Sequence, residues 1–106
     1  MAEGRLLLDT IADMTAASVE RANLSDEVLL LVRFAALVAV DAPVASYLVS
    51  FGAAADTELT LEDAQSVLVA VAPIVGAPRV VAAAGKIAEA LGIAIELAEL
   101  ELAEEL

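Results

Sequence analysis

The chain has 106 residues, of which 61% are hydrophobic and 3% aromatic, with 17 acids against 5 bases and a net charge of −12. It contains neither cysteine nor histidine. That excludes thiol redox chemistry and imidazole acid–base catalysis, and it leaves zinc only a poor carboxylate environment.

The same balance constrains partners. Phosphate backbones are neutralised by Lys and Arg, so a chain this acidic argues against nucleic acid and against anionic membrane surfaces. The apolar content raises the question of a membrane span. Arg33 and Asp41 interrupt the stretch from Val28 to Ala55, and the longest uncharged runs are Ala42 to Ala55 and Ala64 to Pro78. Both fall short of the roughly 18 apolar residues that a spanning helix needs. The opening MAEGRLLLDTIADM has acids inside its apolar stretch and does not read as a signal peptide. The expectation is a cytoplasmic protein outside the membrane. No loop carries the regularly spaced acids of a calcium site, so neither metal nor cofactor is expected. A single domain of this length cannot hide so much apolar surface alone, which predicts a homo-oligomer with apolar interfaces.

In chain order, the first predicted helix runs from Leu6 to about Ala22, with Leu7, Ile11, Met14 and Val19 at near-helical spacing. Asn23-Leu24-Ser25 is a break, with Ser25 as N-cap and Asp26 and Glu27 favourable in the first turn of the next helix. That second helix, Asp26 to about Val40, is apolar almost all round except for Arg33, the pattern of a buried helix. Proline suits a first helical position, so Pro43 opens a third helix reaching Ala55, with Asp41 as a candidate cap. Thr60-Leu61-Glu62-Asp63 resembles a capping box and starts a fourth helix, Leu61 to about Val75, which Pro73 is expected to kink or end early.

Gly76-Ala77-Pro78 is the next punctuation, with Pro78 placed at a first helical position. A fifth helix covers Pro78 to Leu91, and Gly92 is its expected stop. The segment from Gly92 to Leu106 opens with alternating Ile93, Ile95 and Leu97, a strand-like pattern, but its Glu, Leu and Ala content favours an acidic helix. Its end is expected to fray, because Glu101, Glu104 and Glu105 oppose the helix dipole. The reading is all-α, one domain over residues 1–106, five or six helices.

The segments LSDEVLLLVRFAALVAV, TELTLEDAQSVLVAVAPIVGAPRVVAAAGKI and above all APIVGAPR, Ala72 to Arg79, are similar to the carboxymuconolactone decarboxylase family. This family includes the peroxiredoxin-related alkylhydroperoxidase D-like proteins. The similarity covers about Leu24 to Leu91. It implies an alkylhydroperoxidase D-like helical fold of bacterial type and, by analogy, trimers or hexamers. Thiol-dependent members carry a Cys-x-x-Cys-x-x-x-His motif with a Glu upstream, in which the helix start lowers a thiol pKa and Glu and His relay protons.

Laid on this chain, the two Cys positions fall on Ala42 and Ala45, the His on Val49 and the Glu on Leu30. All four are apolar. The resemblance therefore implies a pseudoenzyme with a structural role or a role in binding a partner or small apolar molecule. The alternative is a decarboxylase- or lactone-type enzyme using non-thiol residues, with Arg33, Asp41, Ser46, Tyr47 and Arg79 as candidates, since an anionic substrate calls for cations in the pocket. For Arg33 the plainer expectation is an ion pair with Asp41 or with an acid of another subunit. For Arg79 it is a cap or bridge between helices.

Overall fold

The computed structural model describes residues 2–105, and among these it is all-helical. The elements are α1 (Ala2–Arg21), α2 (Asp26–Ala39), α3 (Val44–Ala54), α4 (Leu61–Val75) and α5 (Ala77–Glu105). Helices α2 to α5 pack on one another, with α3 on α5 and α2 on α4 as the most extensive pairings.

The cap signals work as local chemistry requires. Ser25 sits in extended backbone, and its hydroxyl accepts from the Val28 N–H at 3.3 Å. At α4 the Thr60 hydroxyl accepts from the Asp63 N–H at 3.2 Å, while Asp63 Oδ2 accepts from the Thr60 N–H at 2.8 Å. This reciprocal box satisfies donors that the first helical turn leaves open.

The end of α2 is closed differently from the expectation. Asp41 does not cap α3; it adopts φ 57°, the left-handed conformation that terminates helices. Its N–H donates to the Val38 carbonyl at 3.2 Å, and the Ala42 N–H donates to the Leu37 carbonyl at 3.0 Å. These two bonds make a Schellman closure. It drives Ala42 inward, where it is buried. Arg79 completes the closure, with Nη1 donating to the Ala39 carbonyl at 2.6 Å. A cation at that carbonyl end also meets the negative pole of the helix dipole. Pro43 is correspondingly the N-cap of α3 rather than its first residue, with no side-chain cap bond.

Two further boundaries differ from the expectation. Pro73 does not end α4, which continues to Val75; the missing N–H costs one helical bond, and the ring is exposed. The turn comes at Gly76, with φ 91° and ψ 153°, a conformation open to glycine and strained for other residues. Helix α5 then starts at Ala77, so Pro78 is its second residue, still within the first turn where a missing N–H costs nothing. Gly92 does not stop α5, and Ile93 to Glu105 continue it as helix rather than strand. A glycine in a helix interior costs up to about 1 kcal/mol relative to alanine. It ends a helix only where the chain turns left-handed, and Gly92 does not.

The core lies where α2, α3 and α5 meet: Phe34, Val38, Ala42, Tyr47, Ala83, Ile87 and Ala90. Ala83, Ile87 and Ala90 follow helical i, i+4, i+7 spacing, and the two alanines let α5 approach closely. Tyr47 fills the space they leave, fully buried, with its ring edge-on to Phe34 at 5.7 Å and 70°. Helix α1 stands apart. From residue 4 to Arg21 all but Ala17 are exposed. Its polar tie to the rest among the described residues is the Arg33 Nη2 bond to Ser18 Oγ at 2.9 Å.

Candidate functional site

The positions brought forward from the sequence do not converge. Ala42 is buried beneath the end of α2, whereas Ala45 is exposed and Val49 is 74% exposed on the outer side of α3. Leu30 is half-buried on α2 and faces a different space. The four positions do not enclose a pocket.

The charged candidates separate as well. Arg33 does not pair with Asp41; it reaches Ser18 of α1. Asp41 pairs with Lys86 of α5, Nζ to Oδ1 at 2.8 Å. The Lys86 hydrogen bond and charge, with a smaller contribution from Arg79, hold the Asp41 carboxyl below its usual range. Both partners are partly exposed, so this pair contributes little to stability. Lys86 is not among the site candidates read from the sequence, and nothing local marks it, because its partner lies far along the chain in the turn between α2 and α3.

Tyr47 and Ser46 are neighbours with opposite fates. Ser46 is half-buried. Tyr47 is in the core, and its hydroxyl has no hydrogen-bond partner. Burial, and then the negative charge of Asp41, push the phenol above its ordinary value. A phenol held protonated has no base within hydrogen-bond reach to activate it, so its contribution is packing.

The concave site lies elsewhere, between α2, α3, the α3–α4 turn, α4 and the middle of α5. It is a partly open cleft of about 210 Å³. Leu30, Leu31 and Phe34 line it from α2, and Phe51 and Ala54 from α3. The turn and α4 contribute Leu59, Leu61 and Ala64, and Leu91 closes it from α5. Its polar lining is Ser50, Thr60 and Asp63. Thr60 and Asp63 are engaged with each other in the capping box. Ser50 Oγ makes no side-chain hydrogen bond among the described residues. Arg33, Arg79 and Lys86 are not among the lining residues.

The turn that shapes one wall is itself fixed by side chains. Thr57 Oγ1 donates to the Ala54 carbonyl at 2.7 Å and accepts from the Leu59 N–H at 3.2 Å. Leu59 is thereby held half-buried in the cleft. The sequence signal that could have found this site is Leu59, a large apolar residue in an otherwise polar turn between the helix residues Phe51 and Leu61, since a surface loop seldom needs such a side chain.

No group of three or more acids among the described residues is placed to hold a metal ion, and no described helix is long and apolar enough to cross a membrane. No family model, curated protein or solved structure matches the chain.

Proposed function

We propose that this chain is a carboxymuconolactone decarboxylase-like protein that binds a small, uncharged, predominantly apolar molecule in the α2–α3–α4 cleft and does not turn over peroxide. The observation that carries the reading is the chemistry of the cleft wall: large aliphatic and aromatic side chains, one free hydroxyl on Ser50, and an acid but no base. Ligand sites are typically apolar with a few polar groups that fix orientation. A dry apolar cavity of about 150 Å³ takes up benzene, and this cleft is larger, at about 210 Å³.

The same wall weighs against a lactone-type enzyme. A dicarboxylate needs cations or several free donors, and Asp63 would repel it. Arg33, Asp41 and Arg79, the charged candidates for such chemistry, are committed to Ser18, Lys86 and the Ala39 carbonyl.

The test is a titration of the full chain with toluene, followed by methyl and aromatic NMR shifts. The expected result is saturable change confined to Leu30, Phe51, Leu59, Leu61 and Leu91, abolished in Ala54→Phe, which fills the cleft. Absence of saturation, or shifts spread evenly over the molecule, would overturn the reading. A parallel assay with peroxide and dithiol or lipoyl reductants is expected to show no saturable turnover, and measurable turnover would reject the non-peroxidase part.

A further inference from the structure

The polar side chains that line the cleft are few, and their atoms are not equally free. Thr60 Oγ1 is used twice: it accepts from the Asp63 N–H at 3.2 Å and donates to Asp63 Oδ2 at 3.1 Å. Oδ2 also accepts from the Thr60 N–H at 2.8 Å. The other oxygen of that carboxylate, Oδ1, makes no hydrogen bond or ion pair among the described residues. Ser50 Oγ of α3 is without a partner in the same sense. Asp63 and Ser50 are both half-buried, and both line the cleft of about 210 Å³.

These two atoms ask for different things from a guest. An ionised carboxylate oxygen only accepts, whereas a serine hydroxyl donates as well. No Lys or Arg is among the lining residues, so no cation at the wall answers the carboxylate. The capping box already holds that carboxylate in place, so little freedom is lost when a guest meets it. The surrounding wall of Leu30, Phe34, Phe51, Leu59 and Leu91 makes an unmet polar atom on the guest costly.

The polar heads that an apolar molecule can carry are sorted by this pair. A carboxylate or phosphate sets its own charge against Asp63. An ether or ketone accepts from Ser50 but brings only lone pairs to Asp63. An ammonium suits Asp63 but gives up the hydration of a full charge among apolar side chains. A hydroxyl is neutral and joins a donor and an acceptor on one atom.

We propose that the cleft selects an apolar alcohol or phenol, whose hydroxyl donates to Asp63 Oδ1 and accepts from Ser50 Oγ. This rests on the reading of the cleft as an apolar binding site and adds the identity of the guest's polar head.

The experiment titrates the full chain with p-xylene and with p-cresol, which share a shape and differ by a methyl in place of a hydroxyl. Affinities are read from methyl and aromatic NMR shifts at pH 7, where a phenol is neutral. Against a wall with no polar answer, stripping the hydroxyl of water would weaken p-cresol by about tenfold relative to p-xylene. The expected result is p-cresol bound at least as tightly as p-xylene, with no saturation by p-toluate. Asp63→Asn keeps an oxygen for Thr60 and exchanges the free acceptor for a donor; Ser50→Ala removes the hydroxyl. Each is expected to lower the ratio of p-cresol to p-xylene affinity by about fivefold. Circular dichroism checks that each variant is folded, and the ratio in the unaltered chain decides the matter even if a variant is not. Saturation by p-xylene with weaker p-cresol overturns the hydroxyl assignment and leaves the apolar site standing. Failure of both to saturate rejects the apolar site and this assignment together. A ratio unchanged in either folded variant, or p-methylbenzylamine bound more tightly than p-cresol, overturns the hydroxyl assignment as well.

Discussion

Helix α1 and the first half of α5 are written in similar residues, yet they meet opposite environments. Both space apolar side chains by three and four, although α1 carries Glu3, Arg5, Asp9, Asp13, Glu20 and Arg21 where the first half of α5 carries Arg79, Lys86 and Glu89. In α5, Ala83, Ile87 and Ala90 are buried against Tyr47 and Phe34. In α1, Leu7, Ile11 and Met14 remain exposed. The difference lies in what the rest of the chain supplies. Small residues let α5 come close, the closed end of α2 offers the Ala39 carbonyl to Arg79 and the Asp41 carboxylate to Lys86, and a tyrosine fills the gap. Among the described residues helix α1 has one side-chain hydrogen bond to the rest of the fold, through Arg33, and no comparable socket. An apolar stripe therefore specifies that a helix must be covered, while the residues facing it decide by what.

The largest way to break the contrast is truncation on each side of it. Tyr47→Ala empties a fully buried site and is expected to cost about 3–5 kcal/mol, read from chemical denaturation. Ile11→Ala, measured at a concentration where the chain is monomeric, is expected to change stability by less than about 0.5 kcal/mol, the range for surface positions. Equal losses at the two sites would show that α1 is packed on its own chain after all.

A finer probe separates the ring of Tyr47 from its hydroxyl. The hydroxyl is buried without a partner, and an orphaned buried polar group costs about 1–3 kcal/mol. Tyr47→Phe keeps the edge-on contact with Phe34 and is expected to stabilise the fold by about 1 kcal/mol on that basis. The pH profile supplies a second readout. The folded-state phenol titrates above its ordinary value of 10.0 because burial disfavours the phenolate. Its stabilising contribution is thus complete below pH 10 and is lost as pH rises through the folded-state value. Tyr47→Phe should remove that alkaline loss, and an unchanged profile would place the loss elsewhere.

Which of these features the sequence disclosed follows from how local each one is. Ser25 and the Thr60–Asp63 box were legible because a cap is made by residues three apart. Gly76 was legible for the same reason, as a turn is settled within four residues. The closure of α2 was not. Asp41 before Ala42-Pro43 looks like a cap for the next helix, and only the Leu37 and Val38 carbonyls show that it ends the previous one.

Gly92 misled in the opposite direction, because a glycine permits a stop but the flanking Leu91 and Ile93 pull the helix onward. The candidate site was least legible. Leu30 does line a cleft, but Ala45 and Val49 point away from it. Its far wall, Leu59, Leu61 and Leu91, comes from segments brought together only by the packing of α4 and α5.

Between the strong core and the loosely held α1 lies the cap of α4, which also borders the cleft. Thr60→Ala removes the hydroxyl that accepts from Asp63 and leaves the Asp63 carboxylate with one fewer partner. The expected cost is about 1 kcal/mol, smaller than the loss of Tyr47 and larger than that of Ile11. Toluene affinity should fall with it, because Leu61 is the first residue after the cap and lines the cleft. A loss of stability with no change in binding would show that the cleft wall is held by Leu59 and the Thr57 turn alone.

The smallest expected effect concerns Asp41, where two roles can be separated by choice of substitution. Its carboxyl is held below the usual value of 3.8, chiefly by the Lys86 hydrogen bond. A depressed carboxyl contributes stability that is present above the unfolded-state pKa and lost as pH falls through the folded-state value, so the contribution begins to fade below about pH 4 and is gone only below the folded-state value. Asp41→Asn abolishes the charge but retains a residue that tolerates the left-handed conformation. It should flatten the acid limb slightly and leave the midpoint at pH 7 nearly unchanged. Asp41→Ala loses the ion pair and also strains φ 57°, so it should cost more than Asn across the whole pH range. If Asn and Ala behaved alike, the Lys86 pair rather than the turn would be what holds the end of α2. The closed end that gives α5 its socket would then rest on an exposed ion pair, and salt should weaken it.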